Sequence, residues 1–280
     1  DTFGVLFNYE KTSLICCPET IFGIYKVPES VKNIEKAAFL GCTKLTGITI
    51  PDSLTTIGDM AFYNCQSLEG VEIQADVTSI GSSAFANCVA LKNISIPNSV
   101  TSIGGGAFGG CESLTNVEIP DSVTNLEGYI FEACYSLESV TIGNGITEIG
   151  ESTFLWCKNL KSIVLPSSVA KIGNGAFFHC DNLEDVFYGG TEEQWSSISV
   201  ENENDNLVNA KRYYNAEHHN FTAWTATKEP TCVLAGEETR SCTDASCDLV
   251  ETREVAALGH DWDDGVIVKD RTATEDGEIA

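Results

Sequence analysis

Phenylalanine occurs at Phe39, Phe62, Phe85, Phe108, Phe131, Phe154 and Phe177, and cysteine at Cys42, Cys65, Cys88, Cys111, Cys134, Cys157 and Cys180, every step being 23 residues. Leucine keeps the same interval at Leu45, Leu68, Leu91, Leu114, Leu137, Leu160 and Leu183. A fixed period of this length restricts the chain to a stack of like units, each meeting its neighbours in the same way. Two adjacent copies, Leu91 to Ser113 and Leu114 to Ser136, show the unit most plainly.

Each copy opens on L-x-x-I-x-I, as in Leu45, Ile48 and Ile50, with Gly47 and Thr49 alternating outward, the pattern of a short strand. A proline closes the strand at Pro28, Pro51, Pro97, Pro120 and Pro166, since proline has no N–H for the next rung. Two further apolar residues follow, such as Val100 and Ile103. A glycine at Gly58, Gly81, Gly104, Gly150 or Gly173 then reads as the residue that lets the chain turn. The Ala-Phe pair and the cysteine are expected on a helical or 3₁₀ turn that directs them inward. One copy buries too little apolar surface to offset the ordering of its own backbone, so only stacking can hold it. Each middle cysteine of the seven in the ladder lies about 5 Å from an equivalent neighbour on both sides, close enough to bridge. An odd-numbered ladder offers no preferred pairing, and we read them as free, packed thiols.

The unit L-x-x-I-x-I-P-x-S-V-T-x-I-G-x-x-A-F-x-x-C resembles the Treponema-type leucine-rich repeat of BspA-like bacterial surface proteins. The resemblance covers about residues 1–214 and implies an α/β repeat fold: a right-handed leucine-rich-repeat solenoid with a parallel β-sheet on one face. It further implies a secreted or cell-surface protein of adhesive or host-binding type, and it brings no catalytic residues with it. Departures are local: Gln74 and Gly143 replace proline, Glu127 replaces glycine, and Ile130 and Thr153 replace alanine.

Outside the regular copies, residues 1–22 do not fit the register and read as irregular strands capping one end, with at most one of the adjacent Cys16 and Cys17 buried. Residues 23–44 form an incomplete first repeat in which Val27, Pro28, Val31, Ile34 and Phe39 fall in step. At the other end Gly189-Gly190 replaces the proline. Thr191 with Gln194 three residues on then predicts a short capped helix whose Trp195 covers the last core layer. A polar stretch, Glu201 to Asn206, leads to a closing strand near Ala210 to Tyr214.

After Asn215 a second period, of 41, aligns His219-Asn220-Phe221 with His260-Asp261-Trp262. This part resembles the small Cys/His-bearing repeats that follow such solenoids, and we read residues 215–280 as a separate, small β-rich C-terminal module. Its second copy is cut short at Ala280, which implies that the natural chain runs on. Cys232, Cys242, Cys247 and His260, with His218 or His219, are the one set with the composition of a zinc site. Cys242 and Cys247 are spaced more widely than a tight C-x-x-C, and Ala273 stands where the first copy has Cys232, so a disulfide or free thiols remain alternatives. We assign no metal or cofactor. Asp261, Asp263 and Asp264 read as a solvated acidic turn rather than a calcium loop, whose full ligand set is missing.

The formal charge is −25, from 41 acidic and 16 basic residues. Phosphate backbones and anionic lipid would be repelled, which argues against nucleic acid and direct membrane binding as partner classes. No apolar run approaches the ~20 residues of a membrane helix. The chain carries no secretion signal and its single methionine is Met60, so the expectation is a secreted or cell-surface protein whose signal has been removed. Gly104 to Gly109 spells G-x-G-x-x-G, but in the turn slot of a repeat rather than between a strand and a long helix. His179-Cys180 likewise reads as the seventh ladder cysteine beside a histidine, not as a nucleophile and base.

The outward strand positions are the candidate ligand-binding face, expected to be concave. One column runs Thr49, Glu72, Ser95, Glu118, Thr141, Val164 and Phe187; its neighbour runs Gly47, Gly70, Asn93, Asn116, Ser139, Ser162 and Asp185. Solenoids bind through such surfaces. Most of these side chains are short; Phe187 and Tyr188 are the candidate anchors, though packing against Trp195 would also account for them. The function expected from sequence is therefore a non-enzymatic module presenting this face to a protein or glycan ligand, or else a stalk within a larger surface protein.

Overall fold

The computed structural model describes residues 4–74, 76–215, 225–228, 230, 235–241, 250–255, 261–263 and 266–269. The chain divides into two units, Asp1–Glu217 and His218–Ala280. In the second, Thr225–Lys228, Gly236–Ser241 and Val250–Val255 form an antiparallel three-stranded sheet, and Asp261–Asp263 pairs with Val266–Lys269. Cys232, Cys242, Cys247, His218, His219 and His260 lie outside the described residues.

The first unit is a parallel solenoid. Its long strands include Lys44–Thr49, Gly70–Glu72, Asn93–Ser95, Asn116–Ile119, Ser139–Ile142, Ser162–Leu165 and Asp185–Tyr188. Most pair in register with residues 23 positions on, as Val71 does with Ile94 and Val140 with Ile163, and Asp185–Tyr188 pairs with Lys211–Tyr214. A second parallel column, not anticipated from the sequence, is built from two-residue strands such as Thr56–Ile57, Ser79–Ile80 and Ser102–Ile103. Here the serine of the P-x-S motif finds its use: the hydroxyls of Ser99, Ser122 and Ser168 donate to Val77, Val100 and Ile146 carbonyls one rung back, at 2.7, 2.6 and 2.6 Å.

The remaining segment of each repeat is neither α nor 3₁₀ helix. A helical turn would consume its N–H groups internally, whereas a stacked turn must spend every second one on its neighbour. Met60, Phe62 and Asn64 donate to Ser82, Ala84 and Ala86 of the next rung at 2.8, 2.7 and 2.8 Å, while Ala61, Tyr63 and Cys65 bond within their own turn. This alternation requires left-handed backbone at two slots per repeat. One slot holds Met60, Ser83, Gly106 and Tyr129 with φ of 54, 53, 64 and 64°; the other holds Asn64, Asn87, Gly110 and Trp156 with φ of 62, 59, 72 and 66°. The glycines of the I-G step are a different case, since they have no positive φ. A Cβ on Gly58 or Gly173 would come within 2.7 Å of the backbone nitrogen of Lys36 or Glu151 in the preceding rung, so close approach and not turning demands glycine there. Where Glu127 breaks this rule, the short-strand column loses its ladder and continues only through isolated bridges at Leu126.

Phenylalanine and cysteine complete the turn column. Phe39 to Phe177 stack with ring centroids 4.9–5.6 Å apart and planes within 26°. Cys65, Cys88, Cys111, Cys134, Cys157 and Cys180 are free thiols whose Sγ donates to the phenylalanine carbonyl 26 residues earlier, at 3.1–3.3 Å. A small apolar side chain with one weak donor fills both the volume and the bond.

Each column has its own end. At the start, Leu6–Phe7 and Ser13–Cys16 form a hairpin on the short-strand column, with Cys16 exposed and Cys17 buried. Tyr25 tilts onto Phe39 at 5.9 Å. At the finish, Lys211–Tyr214 closes the long-strand column and Ser199–Val200 the short-strand column. The expected helix forms at Glu192–Ser196 with Thr191 and Gln194 as a reciprocal cap, and Trp195 sets its edge against Tyr188 at 5.3 Å. The turn column ends on the Asn202 carbonyl, which accepts from Gly175 N–H at 2.9 Å, and on one side chain. Buried Asn204 accepts from Phe177 N–H at 3.0 Å through Oδ1, in the place of the next rung's carbonyl. Its Nδ2 donates to Gly173, Glu201 and Asn202 carbonyls at 2.9, 2.9 and 3.1 Å.

Two substitutions test this account. Phe108→Ala in the middle of the file should cost about 3–5 kcal/mol in urea melts; a loss under about 1 kcal/mol would place this ring outside the core. Asn204→Ala strands the buried Phe177 N–H and takes a donor from three carbonyls, of which Gly173 and Asn202 keep a backbone partner; it should cost about 1–3 kcal/mol and accelerate amide exchange at Phe177 ahead of the middle rungs.

Candidate functional site

Along the long-strand face, Thr49, Glu72, Ser95, Glu118 and Thr141 are exposed and Val164 is half-buried. Register sets them side by side where the sequence placed them: Glu72 opposite Ser95, Glu118 opposite Thr141, Thr141 opposite Val164. The column is not continuous. Ladder pairing stops between Asn93–Ser95 and Asn116–Ile119, and a depression of about 330 Å³ lies there, bordered by Ser95, Ile96, Pro97 and Glu118.

The two aromatic anchor candidates are a correction. Phe187 is 5% exposed and stacks on Tyr213 of the closing strand at 4.8 Å, and Tyr188 is 1% exposed under Trp195. The cap strand that completes the sheet covers both, so neither is presented on the face.

The exposed apolar groups of this face stand at the opposite end. In Phe22–Lys26, Phe22 and Ile24 are 76% and 75% exposed. Gly23, with φ of 73°, makes a bulge so that Phe22 pairs with Lys44 and Ile24 with Gly47. Ile24 consequently lies across the bare backbone of Gly47, and Gly70 beyond it has open space where a side chain would stand. Sequence reasoning missed Phe22 because in strict register it occupies the inward leucine slot; the glycine after it was the available signal. Along the long-strand column the charges are mixed. Glu69 pairs with Lys92 at 3.2 Å and Glu138 with Lys161 at 3.0 Å, exposed pairs of little energetic weight. Among the described residues no ion pair engages Glu72 or Glu118.

The later rungs of the ladder offer no thiol chemistry. Burial pushes the Cys111, Cys134, Cys157 and Cys180 thiols well above the ordinary range, and nucleophilic cysteines require the reverse. Cys180 is occupied as a donor to Phe154, and His179 stacks on Trp156. Among the described residues no group of His, Cys, Asp and Glu side chains is arranged to hold a metal ion.

Parallel ladders closing a file of stacked phenylalanines define a leucine-rich-repeat solenoid. Residues 17–108 and 78–205 match the model of the BspA type leucine-rich repeat region, in six copies. The chain belongs to the BspA-type leucine-rich repeat family. Among solved structures it is similar to a leucine-rich repeat protein of Treponema pallidum, at 25% identity over 77% of this chain and 97% of that one, with a TM-score of 0.59. A leucine-rich repeat protein from Eubacterium ventriosum is 34% identical over 62% of this chain, with a TM-score of 0.57; the match spans 48% of that longer chain. A comparison with curated proteins finds no match.

Because Cys111, Cys134, Cys157 and Cys180 hold their thiol protons more tightly when folded than in the unfolded chain, their contribution is complete below the usual cysteine range and is lost as pH rises above about 8.5. The melting midpoint should therefore fall between pH 8 and 10, and less steeply in a Cys111→Ala, Cys134→Ala variant. At pH 8 a thiol reagent should label Cys16 in the native protein and all seven ladder cysteines only in denaturant; equal slopes, or ladder thiols labelled without unfolding, would contradict this.

Proposed function

We propose that this chain is a secreted or cell-surface binding module whose long-strand face takes a protein partner. The observation that carries the reading is the pair Phe22 and Ile24, held three-quarters exposed on an ordered strand beside the bare glycines Gly47 and Gly70. Large apolar side chains in such a position act as anchors for a partner's pocket. The unpaired carboxylates of Glu72 and Glu118, with the formal charge of −25, favour a partner bearing basic residues around an apolar centre. The same charge works against nucleic acid and anionic membrane surfaces. Among the described residues no helix is long and apolar enough to cross a membrane. Membership in the BspA-type family supports a place at the cell surface, and no catalytic residue, cofactor or metal enters the reading. The ligand class expected from sequence was protein or glycan; this face, with apolar anchors and a carboxylate rim, fits the protein.

A second reading, a stalk that holds other domains away from the cell, is favoured by the short side chains of the rest of the face, Thr49, Ser95, Thr141 and Val164. Immobilised wild-type protein and a Phe22→Asp, Ile24→Asp variant, compared for capture from a panel of purified extracellular-matrix proteins, distinguish the two. A partner captured by the wild type and lost at least ten-fold by the variant supports the module; capture unchanged by the variant removes the sheet face from the account, and capture by neither protein supports the stalk.

A further inference from the structure

The turn edge of the solenoid carries a feature that neither the repeat nor the sheet-face reading explains. In the rung Gly104 to Gly110 the inward residues Ala107 and Phe108 are kept, but the outward slots Gly105, Gly106, Gly109 and Gly110 are all bare. Left-handed backbone accounts for Gly106 and Gly110, with φ of 64 and 72°. It does not account for Gly109, which has no positive φ and where an added Cβ would approach nothing closer than 3.4 Å. The same slot holds Tyr63, Glu132 and Phe178 in other rungs. Four glycines in one turn cost backbone entropy that packing returns at only two of them. They leave a cavity of about 470 Å³ across the edge, walled by Tyr129 and Glu132 on one side and Asn87 on the other.

The walls are prepared for contact. Tyr129 is an exposed aromatic residue held at φ of 64°, where bulky side chains are rare, and its hydroxyl is fixed on Glu151 Oε1 at 3.0 Å. Among the described residues no hydrogen bond engages the Asn87 side-chain amide or the Glu132 carboxylate, and both residues border the cavity. Beyond Ala133 the edge continues into an aromatic cluster. His179 stacks on Trp156 at 3.9 Å, Phe178 lies 4.1 Å from His179, and Lys158 Nζ sits 4.8 Å over the indole. Trp156 and His179 also stand in the left-handed slot, with φ of 66 and 60°. No core packing requires rings there.

We propose that this trough is a binding site for a neutral saccharide. One pyranose ring stacks on Tyr129 while Asn87 and Glu132 take its hydroxyls, and the Trp156 cluster receives a further residue of a longer chain. The volume lies within the ~300–1,000 Å³ of small-ligand sites. An extended peptide is the poorer fit, because the backbone groups along the trough are already spent: the N–H groups of Ser83, Asn87, Gly106 and Gly110 donate to Gly105, Gly109, Gly128 and Glu132. Nothing is left to pair with an added strand. Sulfated or acidic sugars are disfavoured by the carboxylates of Glu127, Glu132 and Glu151 on the same edge.

An array of neutral, sialylated and sulfated glycans together with extended peptides, probed with wild type, Gly109→Tyr, Tyr129→Ser and the sheet-face variant Phe22→Asp, Ile24→Asp, tests the proposal. Both trough substitutions place residues that the repeat itself carries in those slots, Tyr63 and Ser83, so folding should be kept and is checked by an unchanged melting midpoint. The wild type and the sheet-face variant should retain neutral glycans equally, and each trough variant should lose at least ten-fold. Retention of no neutral glycan by the wild type, preference for sulfated glycans, binding indifferent to Gly109→Tyr, or retention of peptides that depends on the trough would each overturn it. Because the two faces are altered separately, failure here leaves the sheet-face reading to its own experiment.

Discussion

Each phenylalanine of this solenoid lies on its own copy, one rung away, and the rest of the architecture follows from keeping that stack in register. A ring separated by 4.9–5.6 Å from its neighbours fixes the rise of the turn column to that of a β-ladder. The backbone around it must then give alternate N–H groups to the next rung, and left-handed residues appear at two slots per repeat. The cysteine three residues on donates its Sγ–H to the carbonyl of the preceding rung's phenylalanine, and the glycine four residues before the ring clears space for that rung. Every residue of the motif thus serves the same vertical alignment.

Much of the interior was legible in the sequence because periodicity is a statement about packing. Residues 23 apart had to occupy equivalent places, and the ladder cysteines, having two equal neighbours each, could be read as unpaired. What escaped were conformations that a one-letter pattern leaves open. The Ala-Phe turn resembles a helical segment in composition, yet Met60 and Trp156 in left-handed backbone make it a rung. The two-residue strands are too short for alternation to show. Asn204 sits 27 rather than 23 residues beyond Phe177, outside the period, and so its place at the end of a ladder had no periodic signal.

The candidate surface was legible to a lesser degree, for the same reason. Alternation correctly put Thr49, Glu72, Ser95, Glu118 and Thr141 on the outside, but exposure depends on what the caps cover, and caps are the least repetitive part of the chain. Tyr213 and Trp195 cover Phe187 and Tyr188 at one end, while a single glycine bulge turns Phe22 outward at the other. Individuality in a repeat protein resides in its departures. Glu127 interrupts a ladder, Gly109 empties a slot, and Trp156 and His179 load rings onto a position that elsewhere holds glycine, asparagine or alanine.

The side chain of Asn204 has a consequence for growth. A parallel stack offers, at its final rung, a full set of hydrogen-bonding groups onto which another molecule's first rung would fit, and unprotected edges of this kind lead to fibres. Here the last rung of the turn column meets an amide that copies a carbonyl and turns its own nitrogen back into the protein, so the series is terminated chemically as well as sterically. In a stack of interchangeable units, the final unit here is unlike the others, and its Phe177 N–H is already spent.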